Sequence, residues 1–227
     1  MLVEFCAPPG SGKTTVSKAW CRATLASGVK VQRAKHLPFF ARKKLVIQAH
    51  LRKRRVFPEN SLEHFCKLHC HADREGFSGK LIKDLVQYAY WQDRSVKSVV
   101  LFDESVSQQF LLFSMRSEAD LEALVEPYLQ RMPRMDVIAT LTVPPEVSFA
   151  RIWQREPEGP YFFGDKSREE TLRLLRRANR ACDLLLKGAE RMGIKVIRCN
   201  GEAKPEENVR RLSEAINRTD FGRELVA

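Results

Sequence analysis

Leu2-Val3-Glu4-Phe5-Cys6-Ala7-Pro8-Pro9-Gly10-Ser11-Gly12-Lys13-Thr14-Thr15 is the stretch from which the rest of this 227-residue chain is read. A short apolar run is stopped by two prolines and a glycine, which suits a buried strand. From Lys13 to Ser27 no proline or glycine intervenes, and Gly28 follows as a stop signal, so a helix is expected to open where the glycine loop ends. A strand, a flexible loop and Gly-Lys-Thr at a helix start together form a phosphate cradle, because backbone N–H groups and the positive helix end face the same anion. Gly10, Ser11 and Gly12 are expected to keep the concave surface open, since larger side chains would fill it. Pro9, Gly10, Ser11, Gly12, Lys13, Thr14 and Thr15 are therefore the expected nucleotide-binding residues. Within that set Lys13 should reach the outer phosphates and the Thr14 hydroxyl should ligate magnesium. Ala7 stands where the commonest form of the motif has glycine.

Beyond the loop, apolar runs alternate with helical stretches. Val29 to Ala34, Ser98 to Phe102, Met135 to Val143 and Ile194 to Arg198 read as further strands. Helices are expected near 105–115, 117–130, 146–155, 167–191 and 205–217. Alternation of this kind predicts a parallel sheet with helices on both faces. From Pro38 to Lys97 no strand pattern occurs; segments near 41–55, 61–73 and 79–97 carry helical spacing, broken at Pro58-Glu59-Asn60 and by Gly76 and Gly79. One domain is expected over 1–227, with a core of 1–34 and 98–217, a helical acceptor lobe over 36–97 and a lid over 151–168.

The third apolar run ends in Asp103-Glu104. A magnesium site beside the loop needs a carboxylate at the sheet's carboxyl edge, and Asp103 fits that role. Glu104 is the reserve candidate for a base that accepts a proton from a hydroxyl, or else a first-turn carboxylate favoured by the helix dipole. Arg151 and Arg155 lie four apart, hence on one helix face, directly before a loop holding Pro157, Gly159, Pro160 and Gly164. Guanidinium groups on a moving lid would neutralise charge that develops on a transferring phosphoryl group. Lys166 and Arg168 lie just beyond.

Composition narrows the class. At 26.1 kDa and 44% hydrophobic residues the chain can bury one good core. No run of about 18 apolar residues and no recognisable signal peptide is present, and six scattered cysteines suit reduced thiols in a cytoplasmic protein. Ten Lys or Arg and no Asp or Glu lie between Lys30 and Arg55, which accounts for nearly all of the formal charge of +11. Such a block attracts phosphates, nucleic acid or an acidic membrane surface, or is a solvated helix face. His64, Cys66, His69, Cys70 and His71 invite a zinc reading, yet no second pair of Cys or His completes four ligands. Tyr88, Tyr90, Trp91, Phe39 and Phe40 are mostly core by their spacing, with a minority available to stack on a base. Gln87, Gln92, Asp93 and Arg94 share their stretch.

These parts together resemble the thymidylate kinase-like group of P-loop nucleoside and nucleotide kinases. The matching segments are Val3 to Thr15, the Asp103 strand end, Pro145-Glu146-Val147 with Arg151 and Arg155, and Val196 to Gly201 with its terminal helix. The resemblance implies a three-layer α/β fold with a five-stranded parallel sheet in the order 2-3-1-4-5. It also implies that adenine lies between the Arg151 helix and Asn200-Gly201-Glu202. Departures are equally specific. Where deoxynucleoside kinases carry a catalytic glutamate and thymidylate kinases an Arg-Glu-Pro motif, this chain reads Gln32-Arg33-Ala34-Lys35-His36. Where those enzymes have an Asp-Arg pair it reads Asp103-Glu104-Ser105. The expected activity is transfer of the γ-phosphoryl group of ATP, with Mg2+, to a nucleoside- or nucleotide-like acceptor. Two other readings stay open: a larger anionic acceptor such as modified DNA, RNA, glycan or lipid, reached through 30–55, and a nucleotide-driven ATPase or switch. A homodimer is also held open.

Overall fold

β1 (Leu2–Phe5) is buried along its whole length, as a central parallel strand flanked on both faces must be. It belongs to a computed structural model that describes residues 1–34, 74–92, 98–117, 119–156, 163–164 and 166–218. The other strands are β2 (Val31–Arg33), β3 (Val99–Phe102), β4 (Val137–Thr142) and β5 (Lys195–Asn200). All pair in parallel, in the order β2-β3-β1-β4-β5. The five-stranded order implied by the resemblance is the observed one. Parallel pairing brings the carboxyl ends of β1, β3, β4 and β5 to one edge, and there the loop, Asp103-Glu104 and Gly201 collect.

The helices are α1 (Lys13–Ala26), α2 (Arg74–Gln92), α3 (Val106–Arg116), α4 (Leu121–Arg131), α5 (Pro145–Arg155), α6 (Arg168–Arg191) and α7 (Pro205–Asn217). Side chains alternate across the sheet, so Leu2, Cys6, Val100, Phe102 and Ile138 join α2, α3, α4 and α6 in one core. Val3, Phe5, Leu101, Ala139 and Leu141 join Val16 and Trp20 of α1 and Leu212 and Ile216 of α7 in the other. Glu4 lies on the same strand, fully buried. No helix among the described residues is long and apolar enough to cross a membrane.

One expectation is corrected here. Gly76 and Gly79 do not break the chain: α2 runs through both. Each glycine in a helix interior costs about 1 kcal/mol relative to alanine. Leu81, Leu85, Tyr88 and Trp91, spaced three and four apart, are all buried, and their burial outweighs that cost. Tyr88 and Trp91 are thus core residues; the Tyr88 hydroxyl donates to the Arg134 carbonyl. Phe39, Phe40, Asp93, Arg94, the histidine- and cysteine-rich stretch 64–71 and residues 35–55 of the basic block lie outside the described residues.

Candidate active site

The loop closes into a cradle through two left-handed glycines. Gly12 has φ 89° and caps α1, its carbonyl accepting from the amides of Thr15 and Val16 at 3.0 and 3.2 Å. A Cβ at Gly12 would meet nothing nearer than Leu141, at 4.0 Å, so it is φ that demands glycine there. Gly10 differs. A Cβ on it would stand 2.5 Å from the Ser148 carbonyl oxygen and 3.0 Å from Ile152 Cγ1, both on α5. Its missing side chain also makes room for the arginine-bearing helix, a second demand on this position that the sequence did not show. Gly10→Ala should therefore push α5 away from the loop and weaken nucleotide binding at least about tenfold, the scale of a 1–3 kcal/mol backbone strain. Calorimetric titration with ATP checks it.

A cavity of about 430 Å3 opens in front of the cradle. Pro9 to Thr15, Lys80, Glu104, Gln108, Arg151 and Arg155 line it. Lys13 is buried, and its Nζ donates to Gln108 Oε1 at 2.9 Å while lying 3.6 Å from Glu104 Oε1. Burial lowers its pKa, and Glu104 opposes that shift. Glu104 keeps 41% of its side chain exposed, and its other oxygen lies 3.5 Å from Lys80 Nζ on α2.

The neighbouring carboxylate faces elsewhere. Asp103 is buried, accepts a hydrogen bond from Ser17 Oγ of α1 at 2.6 Å and is ion-paired with Arg33 at the end of β2. Asp103 does not line the cavity; Glu104 does. The sequence ranked these two the other way round, because adjacency in the chain does not reveal which side chain turns toward the loop. Arg33, the last residue of β2, thus neutralises the Asp103 carboxylate.

α5 presents both expected arginines to the cavity. Arg151 Nη1 donates to the Gly201 carbonyl at 3.0 Å, and Arg155, largely exposed, pairs with Glu156 at 3.0 Å. Pro145 begins the helix at its first turn, where a missing N–H is harmless. Gly201 abuts the far side of the loop, since a Cβ there would lie 2.8 Å from the Ser11 carbonyl oxygen. Asn200 Oδ1 accepts from the Glu202 amide at 2.9 Å, and Asn208 bonds the Asn200 main chain at 3.1 and 2.7 Å. Asn200 and Gly201 thus flank the loop without lining the cavity. Lys166 is exposed, and Arg168 stacks over the Trp153 ring at 5.5 Å.

This chain is similar in fold to deoxyadenosine kinase from M. mycoides. One structure of that enzyme, with the products dCMP and a flexible dCDP bound, superposes with a TM-score of 0.55 at 13% identity, covering 96% of this chain and 100% of that one. A second, with bound dATP, gives 0.53 at 13% identity over the same shares. At that identity the likeness concerns the fold. No family model matches the sequence, and no curated protein matches it.

Sequence reasoning missed the polar groups beneath the cavity. Glu4 Oε1 accepts from the Gln108 amide at 3.1 Å, and Gln109 Nε2 donates to Asp84 Oδ2 at 2.6 Å. Burial pushes Glu4 up to about 7, against hydrogen bonds from Ser107 and Gln108 and with a smaller push from Asp84. Burial likewise pushes Asp84 up to about 6, opposed first by Lys80. A carboxyl raised on folding binds more protons folded than unfolded, so its stabilising contribution is present below its unfolded pKa and is lost as pH rises through the folded one. The chain should therefore lose stability between about pH 4 and 7 through these groups. Glu4→Gln should flatten that slope, gaining on the parent at high pH and little at low pH; urea midpoints at both ends measure it. A single glutamate inside an otherwise apolar run was the available signal.

Among the described residues no group of three or more His, Cys, Asp or Glu could hold a metal by itself. Among the described residues lining the cavity, Ser11, Thr14, Thr15 and Gln108 offer neutral side-chain oxygens and Glu104 a carboxylate. Hard oxygen donors, few in number, suit magnesium, which keeps waters and takes substrate phosphates as its remaining ligands.

Proposed function

We propose that this chain is a magnesium-dependent kinase that moves the γ-phosphoryl group of ATP to a hydroxyl of a nucleoside- or nucleotide-like acceptor. The observation that carries the reading is convergence: the glycine loop, Lys13, Glu104, Arg151 and Arg155 all face one cavity. The fold shared with deoxyadenosine kinase supports the same class.

In this reading the loop amides and the start of α1 hold the β- and γ-phosphates, and Lys13 spans them. Thr14 would hold magnesium through its hydroxyl, with Asp103 acting through water or by orienting Ser17, which leaves Glu104 to act as a base. The ion would neutralise charge across the β- and γ-phosphates. Arg151 and Arg155 would close on the transferring group, where negative charge grows. The acceptor hydroxyl oxygen attacks the γ-phosphorus, the bond to the bridging oxygen breaks, ADP leaves, and the hydroxyl proton passes to a carboxylate. Glu104 is our choice for that base, since it faces the cavity and Asp103 does not. The lobe over 36–97 would bind the acceptor, with α2 as its described part.

A second reading, a nucleotide-driven ATPase, draws on the same Glu104, which in the cavity would orient water for attack on the γ-phosphorus. Labelled ATP supplied with nucleosides, monophosphates, oligonucleotides and no acceptor separates the classes. Transfer to a nucleoside or nucleotide is expected. Turnover equally fast without acceptor would favour the ATPase. Transfer confined to oligonucleotides and collapsing with salt would favour the larger anionic acceptor.

A further inference from the structure

Gln108 is a buried residue of α3 that joins three points of the phosphate cradle. Its Oε1 accepts from Lys13 Nζ at 2.9 Å and from the Ala7 amide at 3.1 Å. Its own amide donates to Glu4 Oε1 at 3.1 Å. Both Lys13 and the Ala7 amide are donors only, so the side-chain oxygen, and not the nitrogen, must face them, and its two lone pairs are then both used. Gln108 is 4% exposed, Lys13 8% and Ala7 0%, so water cannot easily replace any partner. One residue thus fixes the strand before the loop, the first peptide of the loop and the ammonium at its end.

The chemical type of this partner matters. A buried ammonium needs acceptors, and the strongest would be a carboxylate. Here the close acceptor is a neutral amide, while the carboxylate of Glu104 stands farther away, at 3.6 Å, on a half-exposed side chain. An ammonium has three N–H donors. One is spent on Gln108, which restricts its rotation, and Lys13 lines the cavity, where the other two are available to a phosphate. An arriving phosphate then has only a loose contact with Glu104 to displace.

Resting on the phosphate-site reading above, we propose that Gln108 is the positioning residue for Lys13: a neutral hydrogen-bond acceptor that aims the ammonium at the phosphates without competing with them for its charge. A merely structural glutamine would satisfy buried donors and do no more.

Two variants in the full chain separate these roles. Gln108→Glu keeps the shape and both acceptor contacts but replaces the neutral oxygen with an ionisable one. ADP, titrated calorimetrically with and without magnesium, is expected to bind about tenfold or more weakly, at unchanged or higher thermal stability. The deficit should widen as pH rises and the new carboxyl ionises. The charged groups around that position are Lys13, Glu104 and Lys80 on the cavity side and Glu4 beneath. Gln108→Leu removes the acceptor, and turnover should fall about tenfold or more while KM for ATP changes less, because the ammonium is still present but not aimed. If Gln108→Leu does not fold, the glutamate variant carries the test alone. ADP binding by Gln108→Glu as tight as by the parent, at every pH, overturns the inference and leaves the phosphate site intact. A parent chain that does not bind ADP overturns both.

Discussion

Lys13→Ala is expected to reduce phosphoryl transfer by at least about 10²- to 10³-fold, the range seen when one preorganised donor to a developing charge is removed. The effect should fall mainly on kcat. Backbone amides of residues 10–14 would still hold a triphosphate, whereas charge on the transferring group would lose its nearest cation. Folding should survive, because the ammonium is buried against a neutral amide and its lowered pKa marks an environment that disfavours the charge. Truncation leaves the Gln108 carbonyl with its Ala7 partner. The measurement is kcat and KM for ATP alongside a thermal melt. Turnover within a few-fold of the parent would remove Lys13, and with it the loop, from the chemistry.

Glu104→Gln should lower kcat by about 10²- to 10⁴-fold if this carboxylate takes the acceptor proton. The substitution keeps size and hydrogen-bonding reach while deleting basicity. Its contacts at 3.6 Å to Lys13 and 3.5 Å to Lys80 are long and partly solvated, so losing their charge should shift stability by no more than about 1 kcal/mol. Asp103→Asn supplies the contrast. Asp103 is buried against Ser17 and Arg33, so neutralising it strands a guanidinium and should cost stability more than it costs proton transfer. Comparing the two variants by kcat, magnesium titration and melting temperature distinguishes them. A larger catalytic loss for Asp103→Asn, at equal stability, would return the catalytic role to Asp103.

Much of the architecture was legible before any coordinates. Glycine, proline and apolar period placed every strand within two residues at its start and two at its end, and α7 spans 205–217 as read. The structure adds a capping box at the start of α6, Ser167 with Glu170, whose two bonds are 2.9 and 3.1 Å. The strand order 2-3-1-4-5 needed the family resemblance, because the order of parallel strands depends on crossovers that periodicity does not encode.

What the sequence by itself determined is a glycine loop between a strand and a helix, its position after β1, and the residues that form its backbone. Those properties are local: a strand, two glycines and a helix start occupy consecutive positions. Only the tertiary structure decided that Glu104 and not Asp103 faces the cavity, that Gly10 yields space to α5, and that Glu4, Arg33 and Gln108 belong to the site. The partners in these contacts lie far apart in the chain: 95 residues from Lys13 to Gln108, 104 from Glu4 to Gln108, 70 from Arg33 to Asp103. A side chain's direction at a strand end is set by what packs against it after folding, and no spacing along one segment carries that information.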